Sequence, residues 1–502
     1  MFISHKRFLF SLVCFASVFL FGGFWLETAH GQKKQMKQGG GGPKHVFTGP
    51  APFHSLDVIL ARPTSNSITI SVLAYEELQA WVQYGTEKDN LSAKTPPTRI
   101  VPDKPFEFVL KNLNPDTQYH YQLFTKKPKD TEPAPGKICH FHTQRKPGGA
   151  FTFTVQSDSH LDQGTRPAVY EKTLANALED NPDFHVDIGD TFMTDKYPNF
   201  KDSLPQYLAQ RYYLGQMSHS SPLFLVLGNH DGERLDRYDG KADSMPVWSC
   251  LNRKKYFPNP YPDGFYTGNK EELKPIGKLE NYYAFEWGDA QFIALDPFWN
   301  TKRNRGKNSE GNWSRTLGET QFKWLEKTLA SSKAKYKFVF IHHLVGGLDE
   351  SARGGSEAAV LYEWGGKNKE GQDEFKTRRP GWSMPIHSLF VKHKVSVVFH
   401  GHDHFFAKQD LDNVVYLMVP QPGHPGSERL KNVDEYGYVR GDFLSPAGHI
   451  RAVSYTHLRA HDIRVSVSAE MAKIDYVRSV LPQSETSERK NKAVAYSFKI
   501  SP

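Results

Sequence analysis

Asp158 and His160 stand two residues apart, as do His402 and His404. Between these pairs lie Asp190 directly after a glycine, the triplet Asn229, His230 and Asp231, and the pair His342 and His343. Carboxylate, amide and imidazole donors without thiolate suit Fe, Mn, Zn or Co better than Ca, and the missing cysteine argues against structural zinc. A carboxylate has two oxygens with which to bridge two cations, and Gly189 lets backbone and metal come close to Asp190. The donors Asp158, His160, Asp190, Asn229, His342, His402 and His404, with Asp190 shared, suffice for two ions that keep positions open to water. Two ions about 3.5–4 Å apart clamp the attacking and leaving oxygens of an in-line displacement and supply hydroxide near neutral pH. That chemistry is phosphoester hydrolysis.

The elements that must position these residues are apolar runs of strand character that stop abruptly at them: FTFTVQSDSH (151–160), FHVDIGD (184–190), LFLVLGNHD (223–231), FVFIHH (338–343) and VSVVFHGHDH (395–404). Ligands of open α/β sheets collect beyond the carboxyl ends of the strands, so the five tips are expected to converge. If the chain stays extended past the first strand, Asp158 and His160 point the same way. Singly, Asp190 and Asn229 read as turn formers; the coincidence at five strand ends favours metal. Apolar residues at helical spacing predict helices over 166–180 and 318–332, and a weaker one over 380–393. Alternating strand and helix beyond residue 150 predicts an α/β layer architecture. From 55 to about 146, short alternating runs (67–74, 80–85, 106–113, 119–125 and 139–143) predict an all-β sandwich. The long segments 232–280 and 344–379 read as binding loops; Arg234, Arg237, Arg353, Trp364 and, just beyond them, Trp382 could contact phosphate or a leaving group, but exposed Arg and Trp of loops are usually only surface, and they are left out of the site.

In order, the strings DSH, GD, GNHD, HH and GHDH resemble the five motifs of the calcineurin-like metallophosphoesterases. The sandwich in front, with LNPDTQY (113–119) similar to the tyrosine corner of fibronectin type III domains, resembles the layout of purple acid phosphatases. The resemblance implies a four-layer αββα domain over 150–500. It implies one metal site of Asp158, His160, Asp190 and His404 and a second of Asp190, Asn229, His342 and His402. His342 is preferred to His343 because it holds the first motif position after the strand. The resemblance also makes His230 the uncoordinated histidine that faces substrate, as general acid or transition-state stabiliser, with Asp231 orienting it. Purple enzymes carry a tyrosine ligand three residues after the bridging aspartate; here Met193 stands there, and His160 can fill the vacated position. A colourless, non-purple enzyme is therefore expected.

With 502 residues, 38% of them hydrophobic, the chain can bury a large core and form more than one domain. Residues 1–48 hold six Lys or Arg against Glu27, so +5 of the net +8 sits there and only +3 remains elsewhere. No nucleic-acid partner is expected. Lys6 and Arg7 before the apolar stretch 8–25, with Ala29-His30-Gly31 after it, read as a secretory signal over 1–31. The expected location is secreted or periplasmic, with a membrane contact only if the leader is retained as an anchor. Residues 32–54 read as a flexible linker, and Cys139 and Cys250 either pair or stay buried. The run 451–463 resembles translated sequencing-library adapter; it is expected as a non-native insertion or, if native, a surface loop that interrupts a strand continuing over 464–478. The expected function is a secreted dinuclear phosphomonoesterase that acts on small-molecule phosphoesters through a metal-bridging hydroxide. A phosphodiesterase or nucleotidase of the same superfamily is the alternative, and a non-catalytic binding protein with a structural metal site is the alternative from another class.

Overall fold

The computed structural model describes residues 46–302, 311–349, 351–424, 432–438, 461–467, 471–487 and 490–502. The expected leader, most of the linker and 451–460 lie outside these residues. Within the compact unit His45–Pro502, the chain opens with a β-sandwich. Leu56–Ala61, Ile68–Ala74 and Phe106–Leu110 form one antiparallel sheet; Leu78–Gly85, Gln118–Lys126 and Ala134–His142, with two short edge strands, form the other. Alternation sends Ile70, Val82, Phe108 and Tyr121 into one core between them. At the corner the Tyr119 hydroxyl accepts the N–H of Asn114 at 2.9 Å.

The linker ends earlier than its composition indicates. Phe47 pairs with Asp162, the Thr48 N–H donates to the carbonyl of Leu161 at 3.0 Å, and Phe47 and Ala51 pack on an apolar cluster. Two apolar side chains and a backbone rung anchor what polar neighbours made look loose.

From Phe151 the main elements are β1 (Phe151–Gln156), α1 (Pro167–Glu179), β2 (Phe184–Asp187), α2 (Leu204–Ser218), β3 (Leu223–Leu225), α3 (Met245–Tyr256), β4 (Tyr283–Trp287), β5 (Ala290–Ala294), α4 (Glu319–Ser331), β6 (Tyr336–Ile341), α5 (Ile386–Lys392), β7 (Val397–His400), β8 (Ala407–Leu411), β9 (Val414–Met418), β10 (His461–Val467), β11 (Ala472–Arg478) and β12 (Val494–Ile500). One sheet has the order β3-β2-β1-β10-β11-β12, with β1, β2 and β3 parallel. The other runs from the two-residue strand Thr267–Gly268 through β4-β5-β6-β7-β9-β8, with β5, β6, β7 and β9 parallel.

The sheets face each other across a core of phenylalanines. Phe153 and Phe184 of the first meet Phe292 of the second edge to face, with ring centroids 5.0 Å apart in both pairs. On the outer side of the first sheet lie α1 and α2, and on that of the second lie α4 and α5, each over its own apolar cluster. This is the four-layer αββα arrangement.

The segment expected as one strand over 464–478 turns back on itself: Val467 is opposite Ala472, and β10 lies between β1 and β11. Residues 461–463 of the expected loop belong to β10, because Ile463 takes the rung opposite Val155. The helix expected over 380–393 is confined to α5, since Pro385 holds an extended backbone at its N-cap. Trp364 and Trp382 are buried in the helix-side cluster, contrary to the surface reading of their loops. Cys139 and Cys250 are separate buried thiols. Among the described residues no helix is long and apolar enough to cross a membrane.

The sandwich is fastened to α2. Arg211, fully buried on α2, donates to the Ser71 carbonyl at 2.8 Å and Ser71 Oγ at 3.0 Å on one side, and to the Tyr256 carbonyl on the other. Ile59 and Leu73 of the sandwich enter the cluster beneath α1 and α2, and the Tyr121 hydroxyl donates to the carbonyl of His219 at 2.6 Å.

Candidate metal centre

The five strand ends come from two sheets: β1, β2 and β3 from one, β6 and β7 from the other. Strand geometry stops short of the donors. Asp158, His160, Asp190, His402 and His404 have φ of 60°, 47°, 55°, 76° and 68°. Left-handed turns therefore gather Asp158 and His160, in place of the extended continuation expected for them. Each such residue costs on the order of 1–3 kcal/mol of backbone strain, which persists only where its surroundings enforce it. Two glycines are among those surroundings. A Cβ on Gly228 would lie 1.9 Å from the Asp190 nitrogen, and one on Gly401 would lie 1.9 Å from Ser157 Oγ and 2.6 Å from Asp158 Oδ2.

The donors fall into two groups, Asp158 with His160 and the half-buried His404, and Asp190 with His342 and His402, the rest of them buried. His404 Nε2 is 3.1 Å and His160 Nε2 3.6 Å from Asp158 Oδ1. Asp190 Oδ2 lies 3.2 Å from His342 Nε2 and 3.8 Å from His160 Nε2, between the groups. Asn229 Oδ1 is 3.0 Å from His342 Nε2, which brings all seven expected donors together.

Neighbours set the imidazole tautomers. His342 Nδ1 donates to the Ile188 carbonyl at 2.9 Å and His402 Nε2 to that of Ser351 at 2.8 Å, leaving Nε2 of His342 and Nδ1 of His402 as lone pairs. With His342 deprotonated, Asn229 Oδ1 and Asp190 Oδ2 converge on a third acceptor, and a metal ion in the place of the Nε2 proton reconciles the three. Asp158 Oδ1, His160 Nε2 and Asp190 Oδ2 are moreover buried without a hydrogen-bond partner. The residues fit a pair of metal ions.

His230 stays out of both groups. Its Nε2 is 3.9 Å from Asp190 Oδ2 and its ring is partly exposed, at 21%. Nδ1 is bound at 2.8 Å by Asp195, not by Asp231 as expected. Burial raises the Asp195 carboxyl, but the hydrogen bond and charge of His230 outweigh it and hold it below its ordinary value. Asp231 instead accepts four backbone N–H groups: Thr191 and Phe192 at 2.8 Å on Oδ1, Gly228 at 2.7 Å and Asp190 at 3.1 Å on Oδ2. It ties the loop of the bridging carboxylate to the loop of Asn229. The adjacency of Asp231 to His230 misled because neighbouring residues leave a turn in different directions; Asp195 returns from the Asp190 loop, five positions on, with no marker in its spacing.

The calcineurin-like phosphoesterase family model matches residues 151–406, about half of the chain, and no curated protein sequence matches it. The chain belongs to the calcineurin-like phosphoesterase family. As a member it is a metal-dependent phosphoric ester hydrolase, of a family that works with a dinuclear centre. Its fold is similar to the solved structure of PhoD, with a TM-score of 0.58 at 13% identity over 89% of this chain and 90% of that one. It is also similar to purple acid phosphatase PPD1 from yellow lupin (Lupinus luteus) seeds, with a TM-score of 0.53 at 16% identity over 88% of this chain and 74% of that one.

In this calcineurin-like phosphoesterase the helix side also braces the ligand loops. From α2, Gln206 donates to the carbonyls of His160 and Thr191, and Gln210 to Ser159 Oγ at 2.8 Å and the Thr191 carbonyl at 2.9 Å. His343 belongs to neither group: its Nδ1 lies 3.2 Å from the Leu344 carbonyl, and burial pushes it well below the ordinary imidazole value. Met193 is buried where a purple enzyme has its tyrosine. Among the described histidines outside the site, His400 is buried at the end of β7 and His387 bonds Tyr416 and Asp412.

Proposed function

We propose that the protein is an extracytoplasmic phosphomonoesterase in which His230, held by Asp195, protonates the leaving oxygen. The observation that carries this reading is an imidazole left free of both donor groups yet fixed by a buried carboxylate 2.8 Å from Nδ1. A structural metal site has no use for such a group, whereas general acid catalysis needs a proton held at a defined atom. Asp158, His160, Asp190 and His404 would hold one ion, and Asp190, Asn229, His342 and His402 the other. When bound, the ions supply Lewis-acid polarisation and an activated water. Asp190 spans both positions, and Asp231 fixes its backbone. The nitrogen and oxygen donors support Mn, Fe, Zn or Co, and Met193 offers no phenolate, so no ferric colour is expected. The leader over 1–31 supports export, and the substrate is a small phosphoester.

The test is metal analysis of the purified protein with turnover of p-nitrophenyl phosphate and bis-p-nitrophenyl phosphate, before and after chelation. About two metals per chain, a monoester preference and loss on chelation are expected. Preference for the diester overturns the monoesterase reading, and metal-replete protein inert to both esters overturns the catalytic one.

A further inference from the structure

Two arginines from different long loops come to the same flank of the centre. Arg234, between β3 and α3, donates Nε and Nη2 to Asp236 at 3.0 and 2.9 Å, while its Nη1 reaches the carbonyl of Asn229 at 3.4 Å. Arg353, between β6 and α5, donates Nη1 to Asp403 at 2.7 Å and reaches the carbonyl of His402 at 3.5 Å. Its guanidinium lies 4.0 Å over the ring of Tyr436. Asn229 and His402 both belong to the second metal position. The side chains are 14% and 26% exposed, so each arginine is largely buried, with its guanidinium held by its carboxylate.

The imidazoles of the two groups face opposite charges. Beside the first group, Asp162 faces His160 at 3.3 Å and Asp195 faces His230. Beside the second stand Arg234, Arg353 and the half-buried Arg315, whose charges bear on His343 and His402. Asp236 and Asp403 orient the first two, and Asp349 adds charge near Arg353. Each guanidinium has five N–H donors in a rigid fork, more than one carboxylate can take, and Arg353 keeps Nε and Nη2 clear of any acceptor among the described residues. Each arginine is fixed beside the second metal position and keeps N–H donors beyond those its carboxylate takes, so the pair can receive an anion next to the phosphoryl group on the metals.

We propose that Arg234 and Arg353 form an anion subsite beside the second metal position that takes a second phosphate of the substrate. The preferred substrates are then small molecules with two phosphates close together, such as a nucleoside diphosphate or a bisphosphate. This rests on the phosphoesterase reading and names the substrate class of that same site. Pre-oriented forks bind phosphate bidentately and lose little freedom in doing so.

Titration calorimetry of the metal-loaded protein with methylenediphosphonate and with methylphosphonate tests the subsite without turnover. The wild type is expected to bind the diphosphonate at least tenfold more tightly. Arg234→Gln and Arg353→Gln, with metal content checked, are each expected to cut that ratio at least threefold. Equal binding of the two probes by the wild type overturns the proposal. So does a ratio that survives in both variants, since the metal ions alone then set it. Should the neutral variant fail to fold, Arg353→Lys keeps the pairing with Asp403 but lacks the fork; its ratio is expected to fall at least threefold, and no change overturns the proposal. An arginine-dependent ratio in a protein inert to p-nitrophenyl phosphate keeps the subsite and sinks the hydrolase reading.

Discussion

Asp195→Asn removes the negative charge behind His230 and keeps the volume. The bond it weakens is 2.8 Å long, between groups 7% and 21% exposed, so water screens it only in part. A hydrogen bond to a charged group is worth about 1.5–3 kcal/mol, and about 1.4 kcal/mol is tenfold in rate. If that bond is what holds the imidazole and its proton in place for transfer, its loss lowers kcat about ten- to 150-fold. Asp195 touches none of the seven donors, so metal content stays near two per chain. The assay is kcat and KM for p-nitrophenyl phosphate with metal measured by mass spectrometry on the same sample. A kcat within twofold of wild type, with both metals present, refutes the role given to the Asp195–His230 pair. Loss of metal in step with kcat assigns Asp195 to the scaffold instead.

Asp231→Asn is expected to do the opposite, because the new amide faces the N–H groups of Asp190 and Gly228 and leaves two buried donors unpaired. At about 1–3 kcal/mol each, this destabilises the fold by about 2–6 kcal/mol and weakens metal retention, read by urea unfolding and metal analysis. Arg211→Met strands the Ser71 and Tyr256 carbonyls at the sandwich junction and is expected to lower the unfolding free energy by several kcal/mol, about 1–3 per carbonyl; unchanged urea unfolding refutes the pin. Burial, helped by the charge of Lys137, lowers His219 from 6.5 to about 4. The unfolded chain takes that proton first, so stability is whole above about pH 6.5 and falls toward pH 4 by about 3 kcal/mol. His219→Gln is expected to lessen the loss between pH 7.5 and 4.5, and an unaltered pH dependence refutes this. Against burial, the charges of Asp190 and Asp158 push His342 up to about 9, and the carboxylates of Asp158, Asp162 and Asp190 around His160 raise that imidazole well above its ordinary value. Loading metal near pH 7.5 should therefore expel about two protons, seen as buffer-dependent heat, and buffer-independent heat counts against it.

Much of this architecture was legible in the chain. Apolar runs such as FTFTV and FVFI mark strands because their alternate residues feed a core on one face and helices on the other, and donors at strand ends have few roles besides binding. Features decided by backbone turns were hidden. Asp158 and His160 meet through left-handed residues, which no periodicity announces. Asp195 finds His230 by the return of a loop, and Asp231 is taken up by amides because its side chain points into the turn. Arg353 and Trp364 lie near each other in one long loop, yet one ends at the metal flank and the other in the core; loop composition alone does not separate such fates.

Helix α2 has two attachments. One face is pinned through Arg211 to Ser71, and the other holds the carbonyls of His160 and Thr191 through Gln206 and Gln210. The β-sandwich is thus a keel for the catalytic half. Shorn at residue 146, that half keeps every ligand in its sequence and loses the ballast that keeps two of their loops in trim. The two modules should be inherited, engineered and damaged together.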